Sequence, residues 1–238
     1  RYSGGGMGGA GIKHWLLAAV AAAGCAWPGV AQASPSNGPF TRLAPARATW
    51  IAARPPVQPF LGFTHAERRE LGAGGRVTRP IQWEPSEDVR LVGGVSYVVV
   101  HAPPEVVLRV LGDYARLKQV LPRTRRSKIV ERRDGRAVVE LEQGTSLVSA
   151  TYSVVLERQG STVRFWMDQT RPHGIQDTWG FFRAEPLDGR RSLVTVAALV
   201  DLGPGLARLL FEERVQQMIL GTSDRLRTHV ELPRFAEK

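Results

Sequence analysis

The sequence has little cysteine and no apolar run long enough to span a bilayer comfortably. Cys25 is the single cysteine, so the chain can form neither an internal disulfide nor a CxxC or cysteine-rich zinc pattern. The five histidines show no HExxH or i,i+4 pairing, and no GxSxG, Walker or GxGxxG motif occupies a strand-to-helix position. We therefore expect no metal, no bound cofactor and no cysteine–histidine catalysis.

Acidic residues are also scarce relative to basic ones. The chain has 22 Asp and Glu against 32 Lys and Arg, which gives a formal charge of +10. Such an excess suggests contact with an anionic surface, although a coding bias towards arginine explains it equally well. No RNP aromatic pattern, helix-turn-helix signal or zinc finger is present, so we expect no nucleic-acid partner. The sequence does not indicate an oligomeric state.

Residues 1–33 have the pattern of a secretory signal peptide. Lys13 and His14 precede the apolar run Trp15–Ala23, and Ala31-Gln32-Ala33 matches the small-x-small cleavage pattern. This predicts a mature start at Ser34 and export to the periplasm or medium of a bacterium. A competing interpretation makes Ala22-Ala23-Gly24-Cys25 a lipoprotein acylation site, although its first position is alanine where leucine is usual.

The rest of the chain divides by composition. Residues 34–63 are rich in proline and alanine, which predicts a disordered tether. Residues 64–92 are predicted to form a short helix and a strand-and-turn lead-in, because Thr64-x-x-Glu67 has capping-box spacing. The main folded domain is predicted over residues 93–232, followed by a tail at 233–238.

Alternating apolar residues and turn signals predict an antiparallel sheet in the main domain. Two short helices follow its first strand, and Asp134-Gly135 predicts a hairpin. The predicted strands are Val95–His101, Ser127–Arg133, Arg136–Gln143, Leu147–Arg158, Val163–Gln169, Asp177–Glu185 and Ser192–Asp201.

One long helix is predicted from Pro204 to Leu232. Proline is accepted in a first helical turn, and no other proline interrupts the segment. The apolar stripe along this helix needs a large apolar partner, which the sheet supplies. Its members are Phe211, Val215, Met218, Ile219, Thr222, Leu226 and Val230.

The order of elements, with three short motifs, resembles the START-like (SRPBCC) helix-grip superfamily of the polyketide cyclase/dehydrase or coenzyme Q-binding type. The motifs are Ala102-Pro103-Pro104-Glu105-Val106-Val107, Gly112-Asp113-Tyr114 and Leu121-Pro122. The resemblance covers about 60% of the chain. It implies an α+β fold in which a curved antiparallel sheet of six to seven strands grips the C-terminal helix. The usual strand number of the superfamily also suggests a strand near Ile81 to Val89 or a division of the long segment Leu147–Arg158. It also implies a cavity for a lipid-like, quinone-like or polyketide-like molecule.

We expect this cavity to bind a hydrophobic small molecule, as a carrier or sensor without turnover. The rival function is a cyclase or aromatase that uses the same cavity. The inward-facing apolar and aromatic positions predict the lining. They are Tyr97, Val99, Val110, Tyr114, Leu141, Tyr152, Val154, Phe165, Met167, Met218, Ile219 and Leu226.

Two polar patterns are candidates for acid–base chemistry. One is a polar cluster between two predicted strands, at the expected cavity mouth, where His173, flanked by Asp168 and Asp177, could act as a general base. Its members are Asp168, Gln169, Arg171, His173, Gln176 and Asp177. A plain polar loop is the simpler interpretation and is favoured. Glu140 and Glu142 share one face of their strand, which is more typical of a solvent face than of a carboxylate pair.

A last pattern concerns the surface. A basic run and a set of leucines off the helix stripe are together suited to a transient contact with an anionic membrane. Charged strand edges explain the basic run better. The two sets are Arg123, Arg125, Arg126, Lys128, Arg132 and Arg133, and Leu206, Leu209, Leu210 and Leu220.

Overall fold

The computed structural model describes residues 62–86, 89–133, 135–146 and 148–232, with only the backbone of residues 206 and 207. The predicted signal peptide, the Cys25 acylation site, nearly all of the tether and the tail lie outside these residues. Asp134 of the predicted hairpin also lies outside them. Arg133 pairs with Arg136 there, and Gly135 has a φ of 77°, as a tight hairpin requires.

Eight antiparallel strands form one curved sheet in the order β1-β2-β8-β7-β6-β5-β4-β3. The predicted helix-grip architecture is therefore confirmed, with one strand more than the upper number expected. The strands are β1 Arg76–Ser86, β2 Val89–Val100, β3 Thr124–Arg133, β4 Arg136–Gly144, β5 Ser149–Gln159, β6 Thr162–Met167, β7 Asp177–Pro186 and β8 Ser192–Asp201.

The helices lie before β1, between β2 and β3, and after β8. They are α1 His65–Gly72, α2 Pro104–Gly112, α3 Leu117–Val120, α4 Leu206–Leu220 and α5 Thr222–Val230, with a 3₁₀ turn at Tyr114–Arg116. The capping box at the start of α1 is confirmed, because Thr64 Oγ1 accepts from the Glu67 N–H and the Glu67 carboxylate accepts from the Thr64 N–H.

The additional strand is β1, which overlaps the segment near Ile81 to Val89 where the resemblance suggested a further strand. Pro80 and Pro85 interrupt its pattern, and proline is tolerated in a sheet mainly on an edge strand. β1 is an edge strand, with β2 as its one neighbour in the sheet. β2 also begins earlier than predicted, at Val89 rather than Val95.

The sheet buries apolar residues on both faces. On the inner face, Val98, Val139 and Val196 belong to the main core, which includes residues of α2 and α5. On the outer face, Trp179 packs edge-on against Trp83 at a centroid distance of 6.3 Å. A second outer cluster joins Leu71 of α1 to Val99 and Leu193. The inner face is therefore the one that the C-terminal helices cover.

The single C-terminal helix predicted from Pro204 to Leu232 is wrong in two respects. α4 starts at Leu206, because Gly205 before it has a φ of 93° and does not continue a helix. Gly221 then separates α4 from α5. Glycine is the poorest helix former after proline, so a break at this position is physically reasonable.

The two C-terminal helices are buried to different depths. Leu226 of α5 is 0% exposed and Val230 is 1% exposed, and both belong to the main core. In α4, Leu220 is buried, whereas Val215 and Ile219 are only partly buried against the same core. Leu209 of α4 is 80% exposed. α5 thus anchors the C-terminal segment, and α4 lies across the sheet as a shallower cover.

Candidate ligand cavity

A cavity of about 90 Å³ lies between the inner face of the sheet and α3, α4 and α5. Strands β4 to β8 form its wall, and α4 covers it with Val215, Met218 and Ile219. The volume equals roughly that of three water molecules in the liquid. A small guest therefore fits as the cavity stands, whereas a long lipid chain needs α4 to move.

The lining is almost entirely apolar, and none of its described members carries a charge. Its aliphatic and aromatic part includes Phe165 and Phe182, whose ring centroids are 5.5 Å apart. Its polar side chains are Gln143, Tyr152, Thr178 and Thr222. The remaining lining residues are Leu117, Leu121, Pro122, Leu141, Val154, Leu156, Val196, Ala198, Val200, Val215, Met218 and Ile219.

Gln143 and Tyr152 form the polar corner of the cavity. The Tyr152 hydroxyl donates to Gln143 Oε1, and Gln143 Nε2 donates to the Pro122 carbonyl at 3.3 Å and to Thr124 Oγ1 at 2.9 Å. Burial raises the pKa of Tyr152 far above its usual value. The phenol is therefore neutral at physiological pH and does not act as a base.

Polar contacts hold α4 over the cavity where apolar burial is slight. Gln216 Nε2 donates to the carbonyls of Ile81 and Gly93, at 3.2 and 3.1 Å. Arg90 of β2 pairs with Glu212 at 2.6 Å. This pair is partly buried, so polar contacts rather than apolar packing hold α4 over the cavity.

α4 also approaches β2 closely at one glycine. Gly94 has a φ of 150°, and a Cβ placed there would lie 2.9 Å from Leu220 Cδ2 and 2.3 Å from the Arg79 carbonyl oxygen. A side chain at this position would therefore push the helix and the neighbouring strand away. The glycine sets the distance at which the end of α4 packs on the sheet.

The family model for polyketide cyclase/dehydrase and lipid transport matches residues 94–231. This stretch includes the whole cavity lining and more than half of the chain. The chain belongs to this family. The START-like resemblance indicated by the sequence motifs is thereby confirmed.

Solved structures that are similar to this family member share little sequence with it. A STAR-related lipid transfer protein from Xanthomonas axonopodis is 19% identical, with a TM-score of 0.49, over 64% of this chain and 99% of its own. A START superfamily protein from Mycobacterium smegmatis is 15% identical, with a TM-score of 0.49, over 59% and 97%. The Zhui aromatase/cyclase from Streptomyces sp. R1128 is 17% identical, with a TM-score of 0.44, over 67% and 92%. A search of curated protein sequences gave no match.

Six of the predicted lining residues line the cavity of this family member: Leu141, Tyr152, Val154, Phe165, Met218 and Ile219. Val110, Tyr114, Met167 and Leu226 lie instead within the adjoining core, where neighbouring side chains fill the space around them. Burial raises the pKa of Tyr114, whose ring is packed among these core residues. The structure therefore brings half of the predicted set to the cavity and places four more residues behind it.

Tyr97 and Val99 do not reach the cavity, because they lie on the outer face. Tyr97 packs edge-on against Phe63 at 4.9 Å, and Val99 belongs to the cluster under α1. β2 is buried on both faces and is apolar at most positions, so its sequence lacks the alternation that identifies an inner face. Assigning these two residues to the cavity lining was therefore wrong.

His173 and Asp168 lie in the loop after β6 and do not line the cavity. His173 is exposed, and its Nδ1 lies 2.8 Å from the Ile175 carbonyl oxygen, to which it must donate. Asp168 accepts from Thr170 Oγ1 at 2.6 Å and from Arg171 Nε at 3.0 Å. The two side chains have separate partners and do not bond to each other. The segment is therefore a polar loop, as the simpler interpretation of the sequence predicted.

The other polar residues of that loop are also structural. Arg171 bridges Asp168 and Glu131, which tethers the loop to β3. Gln169 Nε2 donates to the Gln176 carbonyl and, at 3.3 Å, to the buried carboxylate of Asp177. Among the described residues, no group of three or more histidine, cysteine, aspartate or glutamate side chains is placed to hold a metal ion.

The surface charges are largely paired. Glu140 and Glu142 lie on the outer face of β4, where Arg126 and Arg125 pair with them at 2.9 and 3.0 Å. Arg133 of the basic run pairs with Glu131 at 2.9 Å. The two glutamates therefore form a salt-bridged strand surface, and half of the basic run already has protein partners.

The leucines off the helix stripe separate into two kinds. Leu220 is buried against β2, which is contrary to the surface role suggested for it, while Leu209 and Leu210 are 80% and 61% exposed. The side chain of Leu206 lies outside the described part of the chain. Within that part, no helix has the length and apolar content needed to cross a membrane.

Gln143 is the functional candidate that the sequence pattern missed. It has the same parity along β4 as Val139 and Leu141, both inward-facing, so its inward direction was readable from the alternation. Glu140 and Glu142 on the same strand are partly exposed and lie on the opposite face. The short loop that presents Pro122 to Gln143 is not readable from any pattern.

The Asp168 contacts predict a pH-dependent contribution to stability. Partial burial tends to raise the pKa of this carboxyl, but the hydrogen bonds from Thr170 and Arg171 outweigh it and lower the pKa below the ordinary 3.8. The stabilisation is then fully present above the ordinary value and is lost as the pH falls through the lowered folded value. Asp168→Asn should therefore be less stable than the wild type at pH 7, and the difference should shrink in acid.

Urea unfolding of both proteins between pH 7 and pH 2 measures this difference. Asp168→Asn should leave ligand binding unchanged, because the side chain is outside the cavity. A stability difference that stays the same over the whole pH range would contradict the assigned contacts.

Proposed function

We propose that this protein binds a hydrophobic small molecule in the cavity beneath α4 and acts as a carrier or sensor without turnover. The observation that carries the proposal is the apolar, uncharged lining, which leaves about 90 Å³ empty within an otherwise packed core. A larger apolar cavity in a protein, of about 150 Å³, stays dry and takes up apolar guests such as benzene and xenon. The family's description, which includes lipid transport, supports the same reading.

The site chemistry favours carriage over catalysis. A cyclase needs a general acid or base within hydrogen-bonding distance of its bound substrate. Tyr152 is the one titratable side chain among the described lining residues, and burial raises its pKa. His173 and Asp168, the candidates from sequence, point to other partners. A cyclase-type turnover by the same cavity is therefore the less favoured function.

A larger ligand requires α4 to move, and the contacts of α4 suit that role. Apolar burial holds this helix weakly, whereas α5 is deeply buried and remains in place. The exposed Leu209 and Leu210 lie near the start of the same helix. We propose that this end of α4 makes the transient contact with a lipid surface from which an apolar ligand enters.

Filling the cavity should abolish binding without unfolding the protein. Val215→Phe adds a ring to the cavity side of α4, so uptake of toluene should fall at least tenfold. Val138→Phe makes the same change on the outer face of β4 and should leave uptake unchanged. Ligand-observed NMR measures the uptake, with thermal unfolding as a check on both variants. Equal toluene binding by Val215→Phe and the wild type would contradict the proposed site.

We also propose that the chain is exported after cleavage between Ala33 and Ser34. The apolar run Trp15–Ala23 and the cleavage pattern Ala31-Gln32-Ala33 support this proposal. N-terminal sequencing of the protein recovered outside the cytoplasm should begin at Ser34. An acylated Cys25 at the N-terminus would instead show a lipoprotein, and a retained leader would contradict cleavage.

A further inference from the structure

The hydrogen bonds around the cavity are arranged so that it offers acceptors and no donors to a ligand. From this we infer that the cavity selects a neutral molecule that donates a hydrogen bond, through its own O–H or N–H group, to the phenolic oxygen of Tyr152. The inference rests on the ligand-binding function proposed above and narrows it to one class of ligand.

The orientation of Gln143 fixes the direction of the hydrogen bonds at this corner. A peptide carbonyl can only accept, so the group of Gln143 that lies 3.3 Å from the Pro122 oxygen must be its NH₂. The second hydrogen of that NH₂ goes to Thr124 Oγ1 at 2.9 Å. The amide oxygen of Gln143 therefore faces Tyr152 and has no hydrogen to give.

The Tyr152 hydroxyl must then donate to Gln143, because two acceptors cannot bond without a hydrogen between them. Its single hydrogen is used by this contact, while its oxygen can still accept. Since burial keeps the phenol protonated, the arrangement persists across the physiological pH range. A ligand that reaches Tyr152 meets an acceptor.

The hydroxyl groups of the two lining threonines also donate their hydrogens to the protein itself. Thr178 Oγ1 donates to the Leu199 carbonyl at 3.0 Å, and Thr222 Oγ1 donates to the Met218 carbonyl at 3.2 Å. Their hydroxyl hydrogens are committed to the backbone, and only oxygen lone pairs remain for a guest. Each polar side chain of the described lining therefore either presents only an acceptor to the cavity or has all of its hydrogens bonded within the protein.

Charge and size restrict the ligand further. No described lining residue carries a positive charge, so a carboxylate or phosphate placed here would be buried without a counter-ion, at a cost of several kcal/mol. An acceptor-only molecule such as a ketone, quinone or nitrile would leave its oxygen or nitrogen unpaired. A volume of about 90 Å³ suits a group of about one ring. The ligand portion that occupies the corner is therefore a small apolar group with a hydroxyl or an uncharged N–H.

Three single-ring probes of similar size test this inference on the full chain. Phenol donates a hydrogen bond, benzonitrile only accepts, and toluene does neither, so toluene binding gives the baseline of apolar affinity. The double variant Tyr152→Phe/Gln143→Leu removes the polar corner, and the single variant Gln143→Leu frees the Tyr152 hydrogen. Isothermal titration calorimetry gives each dissociation constant, and circular dichroism checks that each variant is folded.

The ratio of phenol to toluene affinity should fall by about threefold to tenfold in the double variant, which is the range of one neutral hydrogen bond. In Gln143→Leu, benzonitrile should gain a similar factor over toluene, because Tyr152 can then donate. An unchanged phenol ratio in the double variant, or no gain for benzonitrile in the single variant, would overturn the inference. Toluene binding that is absent from the wild type would instead overturn the proposed function itself.

Discussion

Burial of α5 against the inner face of the sheet is the contact on which the rest of the structure depends. Leu226 and Val230 join residues of the sheet and α2 in one continuous core. This contact fixes the C-terminal end of the chain, and α4 is carried over the sheet from that fixed point. Because α4 itself buries little, the space beneath Val215, Met218 and Ile219 is not closed by packing.

The two faces of the sheet have different physical roles. The outer face is covered by tryptophans, α1 and paired charges, as the Arg126 and Glu140 contact shows. On the inner face, the cavity lining has few polar side chains, and their hydrogens are donated within the protein. A buried polar group without a partner costs more than a hydrogen bond gains, so the unused lone pairs at the polar corner favour particular guests. Specificity here comes from the direction of a few hydrogen bonds.

The sequence predicted the fold well because the strands β4 and β5 and the helix α5 carry clear periodicity. Alternation along β5 correctly placed Tyr152 and Val154 on the inner face. The prediction failed where this signal is weak. β2 is apolar on both sides, so Tyr97 and Val99 were assigned to the wrong face. The two prolines of β1 obscured where this edge strand begins.

The candidate site was less predictable than the fold for a related reason. A linear pattern shows which residues face inward, but it does not show which of them meet a neighbour and which meet empty space. Leu226 and Met218 belong to the same predicted stripe, yet the first is packed in the core and the second lines the cavity. Met218 precedes the helix break at Gly221 and Leu226 follows it. The apolar spacing does not show that the helix after the break is buried more deeply than the helix before it. Likewise, the role of Gln143 depends on the Pro122 carbonyl, which is remote in sequence.

The central claim is that an empty apolar cavity remains between the sheet and α4. A crystal of the protein placed under xenon pressure tests it most directly, because xenon enters dry apolar cavities without hydrogen bonds. The account predicts a xenon atom bound among Leu141, Phe165 and Ile219 with no change in the sheet. A fully packed space there, with no xenon bound beneath α4, would contradict it.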